Sequence, residues 1–249
     1  MSRFSLKRID DVIDRTGTEQ TIKYLSLPRL GRPPPPIEQY VRDGLWVGPD
    51  VDIVAGMRDP VARAVSVVAF LSNRLGYLRH PVTVRDGGTP EALRQLFFHV
   101  LRAAQEERHG GDTLVELLAH AVFDYRRWFD DELGTGFSLN VQSARFDRDA
   151  AALMLRGTHR LLVYRVEDLT DPEASRRLAV AASDMMGANL PPVPAENVTG
   201  ETRFRKFYEA YRQGLRLSPD DLDWFYDHRV IRQFYTPAEI ETFRARWSR

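Results

Sequence analysis

Val51-Asp52-Ile53-Val54-Ala55-Gly56-Met57-Arg58-Asp59-Pro60-Val61-Ala62-Arg63-Ala64-Val65-Ser66 is the stretch on which the fold turns. Its first seven residues form a short apolar run, the composition of a buried strand. Asp59-Pro60 follows at once and supplies a capping side chain and a proline for the first position of a helix. Helical periodicity then runs through residues 61–71. The chain is therefore expected to pass from strand to helix in a single tight turn. In open α/β sheets such turns lie at the carboxyl ends of the strands, where the next helix offers amides and a partial positive charge to a phosphate. Arg58 sits at the strand end and Ser66 about two turns into the helix, so a guanidinium and a hydroxyl can converge on one anion. Taken alone, an arginine and a serine at this separation favour a surface ion pair and a small packed side chain.

Outward from this segment, residues 4–13 read as a helix and residues 21–27 as a strand, and Pro33 to Pro36 make an exposed connection that can be neither helix nor central strand. Helical periodicity returns over residues 91–105 and 113–129, between glycine-bearing loops. Arg160-Leu161-Leu162-Val163-Tyr164-Arg165-Val166 is a second buried-strand pattern, followed by a turn over residues 168–172 and a helix to about Met186. Residues 204–213 and 220–232 look helical, and Thr236-Pro237-Ala238-Glu239 opens a last helix with a capping box. Strands alternating with helices imply an α/β fold with a central, largely parallel sheet flanked by helices, rich in helix in its middle and C-terminal parts. With 249 residues and 43% hydrophobic content, a single domain spanning residues 1–249 is the expectation.

The segment from Val54 to Ser66 closely resembles the 3′-phosphate-binding strand-turn-helix of the sulfotransferases, in which a strand-end arginine and a helix serine have this same separation. Leu162-Val163-Tyr164-Arg165-Val166-Glu167-Asp168-Leu169 resembles that family's strand and acidic turn, with Val166 where many members carry a tyrosine near adenine. Arg205-Lys206-Phe207-Tyr208, the stretch from Gln233 to Trp247, residues 128–133 and Arg145-Phe146-Asp147 are similar to bacterial sulfotransferase-like proteins tied to capsular polysaccharide synthesis. The resemblance implies a P-loop-like sulfotransferase fold and 3′-phosphoadenosine 5′-phosphosulfate as donor substrate. The acceptor it implies is a hydroxyl on a carbohydrate. It makes Arg58, Ser66, Arg205 and Lys206 the donor-binding residues, the last two as the basic loop that closes over the 3′-phosphate. For Arg205 and Lys206 a solvated helix face accounts for the residues equally well. For Trp128, Phe129, Tyr235 and Trp247, core packing is the stronger expectation.

The family holds the 5′-phosphosulfate on a loop bearing glycine and lysine after its first strand. Met1-Ser2-Arg3-Phe4-Ser5-Leu6-Lys7-Arg8 looks like the tail of that loop entering its helix, so the expectation is a domain that lacks the first strand and loop. Placing the loop at residues 15–21 instead would make the acidic residues 9–14 a buried strand, which is the poorer fit. In the preferred register Ser26 falls where many members present a catalytic histidine. Asp130, Glu132 and His80 are candidate bases by residue type, each equally readable as an ordinary helix or loop residue.

Several function classes are set aside by composition. Lys plus Arg and Asp plus Glu total 35 each, so no overall field draws nucleic acid or an anionic membrane. With no cysteine there is no disulfide framework, thiolate metal site or thiol nucleophile, and the six histidines show no metal-ligand spacing. No metal is expected. The N-terminus lacks a signal-type apolar core and no apolar stretch is long enough to span a bilayer, so a cytoplasmic protein without a transmembrane segment is expected. Asn197-Val198-Thr199 is a chance-level glycosylation match. A phosphoryl-transfer P-loop enzyme is disfavoured because no Gly-x-x-x-x-Gly-Lys-Ser/Thr occurs. The competing reading is a catalytically silent relative that binds a nucleotide or a partner protein.

Overall fold

The computed structural model describes residues 52–74, 89–107, 114–123, 129–136, 139–157, 159–187, 190, 192 and 205–248. The helix, strand and proline connection expected before residue 51, and the residues of the proposed 5′-phosphosulfate loop, lie outside the described residues, as do His80, Trp128 and the Asn197 sequon. What is described is a mixed α/β protein whose chain divides into two compact units, with a boundary between Arg58 and Asp59.

The first unit carries the sheet. Strand β1 (Asp52–Met57) buries Ile53, Ala55 and Met57 at alternate positions, the period-2 pattern of a strand. Strands β2 (Ala152–Leu155) and β3 (Arg160–Arg165) are antiparallel neighbours, and β3 also pairs in parallel with β1, from Asp52 opposite Arg160 to Met57 opposite Arg165. The order β1-β3-β2 puts β3 in the middle. Every residue from Leu161 to Arg165 is buried, as a strand covered on both faces requires. Gly56 lies opposite Tyr164, and a β-carbon there would come within 3.1 Å of the Tyr164 hydroxyl. The absent side chain makes room for the tyrosine ring.

A 3-10 turn (Val166–Thr170) leaves β3, and Asp171 caps helix α4 (Pro172–Met186) by accepting from the Glu173 amide at 2.9 Å. Gly187 ends α4 in the left-handed region at φ 66°, which costs glycine no steric strain. One face of α4 is small: Ala174, Ala181 and Ala182, with Leu178 and Met185, pack on Ala152, Leu162 and Tyr164. Small residues let helix and sheet approach closely. A π-helical segment (Phe129–Gly136), a 3-10 turn (Val141–Ser143) and helix α7 (Arg229–Phe234) complete this unit.

The second unit is helical: α1 (Pro60–Arg74), α2 (Pro90–Gln105), α3 (Leu114–Phe123), α5 (Arg205–Gly214), α6 (Pro219–Tyr226) and α8 (Pro237–Trp247). Val61, Ala64, Val65 and Val68 of α1 are fully buried, the i, i+3, i+4, i+7 stripe of a core-facing helix. Leu93, Leu96, Phe97, Val100 and Leu101 do the same for α2. Both α6 and α8 open with a capping box, Ser218 with Asp221 and Thr236 with Glu239.

Three expectations are adjusted. The α/β class stands, but the described sheet is mixed, because β2 and β3 are joined by a connection of a few residues, which returns the chain antiparallel. The helix expected over residues 220–232 is two helices interrupted at Asp227-His228, where the chain leaves the second unit for the first. Of the helix expected over residues 113–129, residues 114–123 are α-helical and Phe129 belongs to a π-helical segment.

Candidate functional site

The parallel register sets the geometry. Met57 and Arg165 are the last paired residues of β1 and β3, so the two strands reach the same edge of the sheet together. That edge is the carboxyl edge, where ligands of α/β sheets collect. Arg58 is the residue immediately beyond it on β1.

The two arginines at this edge differ in their commitments. Arg165 is 9% exposed, and its guanidinium grips Asp168 with both arms, Nε to Oδ2 at 2.8 Å and Nη2 to Oδ1 at 2.5 Å. It also donates to the Phe234 carbonyl at 3.4 Å and lies 4.9 Å from the centre of the Phe146 ring. Such a bidentate fork is fully spent on structure. Arg58 is half-buried and makes neither an ion pair nor a hydrogen bond with any described residue. The surface ion pair that would account for it blandly is not found among the described residues.

Asp59 starts α1 and is 1% exposed. Its Oδ1 accepts from the Val61 amide at 3.1 Å and from the Tyr226 hydroxyl at 2.7 Å, while Oδ2 accepts from Trp247 Nε1 at 3.0 Å. Arg246 lies 3.9 Å away. The cap is as expected from the sequence, but it has a cost for anion binding: one helix-end amide is already taken by a carboxylate. Recognition of a phosphate there would fall on side chains more than on the helix terminus. Ser66 is half-buried on α1, and its hydroxyl bonds no described residue, whereas the comparable helix serine Ser183 donates back to Ala179 at 2.6 Å.

No match to a known family, curated protein or solved structure was found.

Of the remaining candidates, Arg205 is the first residue of α5, and Lys206 is exposed on it. Val166, which stands where many members of the resembled family carry a tyrosine near adenine, packs against the apolar cluster under α4. Asp130 is held on both oxygens, Oδ1 by Gln142 Nε2 at 2.8 Å and Oδ2 by the Arg229 guanidinium, which leaves it a structural tie rather than an open base. The Glu132 side chain lies outside the described residues. Phe129, Tyr235 and Trp247 are 3%, 3% and 2% exposed, so they are core residues, as expected. Trp247 adds the indole bond to Asp59, which no sequence signal announced. Among the described residues no group of three or more His, Asp or Glu is placed to hold a metal, and no helix is long and apolar enough to cross a membrane.

Proposed function

We propose that this chain is a sulfotransferase of P-loop-like fold, with β1 and β3 as the parallel pair at its donor site. It binds 3′-phosphoadenosine 5′-phosphosulfate and transfers the sulfuryl group to a hydroxyl, that of a carbohydrate in surface-polysaccharide synthesis in the cytoplasm. The observation that carries the reading is Arg58, a half-buried guanidinium at the carboxyl edge of the parallel pair with no bond to any described residue. A half-buried guanidinium that bonds no described residue keeps its donors for an anionic ligand. Ser66, Arg205 and Lys206 stay donor-binding candidates on the sulfotransferase resemblance alone.

In the transfer the acceptor oxygen forms the new bond to sulfur as the bond between sulfur and the bridging phosphate oxygen breaks. The acceptor proton leaves to a base, and 3′-phosphoadenosine 5′-phosphate departs with the bonding electrons.

Calorimetric titration with 3′-phosphoadenosine 5′-phosphate tests the donor site: saturable binding with one site per chain is expected, and a flat titration overturns it. The tie of Asp130 to Arg229 favours a second reading, in which the same nucleotide binds without transfer. Nucleotide binding with no label moving from radiolabelled donor to any polysaccharide would select that reading.

A further inference from the structure

We draw no further inference here: the strongest candidate, the Tyr211 hydroxyl on α5 beside Tyr208, is fully enclosed, and nothing in the structure shows what would reach it.

Discussion

The phenol of Tyr226 donates to Asp59 at 2.7 Å across a sequence separation of 167 residues, and both groups are 1% exposed. Asp59 also receives the Trp247 indole, so the carboxylate that starts α1 fastens the ends of α6 and α8 to it. A residue readable from sequence as a local cap is thus the junction of three helices.

That junction predicts a graded mutational series. Asp59→Ala removes the cap and strands two buried donors, and should cost about 4 kcal/mol. Asp59→Asn keeps the oxygen that Tyr226 and Val61 use but turns an NH2 toward the Trp247 indole, donor against donor, for a cost of about 2 to 3 kcal/mol. Tyr226→Phe forfeits one charged-acceptor bond, about 1.5 to 2 kcal/mol. Urea melts give the ranking, and an Asn variant as stable as wild type would remove the indole bond from the account.

Asp221 makes the second unit sensitive to acid. Burial alone would push its carboxyl up, but hydrogen bonds from Ser218 and Gln105 and the Arg102 guanidinium outweigh burial and hold it below the usual carboxylate range. A depressed carboxyl stabilises the fold above its unfolded-state pKa of about 3.9, and that contribution fades as pH falls through the lower folded value. The stability gap between wild type and Asp221→Asn should stay level from neutrality to about pH 5 and close below about pH 4. Chemical denaturation at several pH values reads this directly; a gap indifferent to acid would mean that the charge is not what Asp221 contributes.

Tyr211 predicts the opposite sign. It is wholly buried on α5 and its hydroxyl has no hydrogen-bond partner among the described residues. Burial, reinforced by the neighbouring Tyr208, pushes the phenol far above its ordinary value, so it remains a neutral and unsatisfied group. An orphaned buried hydroxyl costs about 1 to 3 kcal/mol in proteins. Tyr211→Phe should leave stability unchanged or raise it by about 1 kcal/mol, and a clear loss in thermal melts would reveal a partner for the hydroxyl.

The elements that declared themselves in sequence are those whose pattern is local. The apolar run of β1, the Asp59-Pro60 helix start, the buried β3 run and the Thr236 cap each need only a few neighbouring residues to be recognised. Strand β2 was not legible because Ala152-Leu153-Met154-Leu155 are all good helix formers, and only pairing with β3 makes them extended. The break between α6 and α7 was hidden because Leu222, Tyr226, Val230 and Phe234 keep helical spacing straight through it. Arg58 and Ser66 were legible as a pair of residue types at a set separation.

Arg58 decides the functional reading. With no bond to a described residue, its removal should leave the unfolding midpoint near that of wild type. A phosphate held by a guanidinium fork gains about 1.5 to 3 kcal/mol from each charged hydrogen bond, so Arg58→Ala should weaken 3′-phosphoadenosine 5′-phosphate at least about tenfold. Arg58→Lys keeps the charge but not the planar fork, and belongs between the two. Raising salt should narrow the difference between wild type and Lys less than that between wild type and Ala, because screening acts on the charge and not on the fork. Calorimetry on the three proteins measures the order. Equal affinity in wild type and Arg58→Ala would mean that the guanidinium at the edge of β1 holds no phosphate, and the donor site would have to be sought elsewhere.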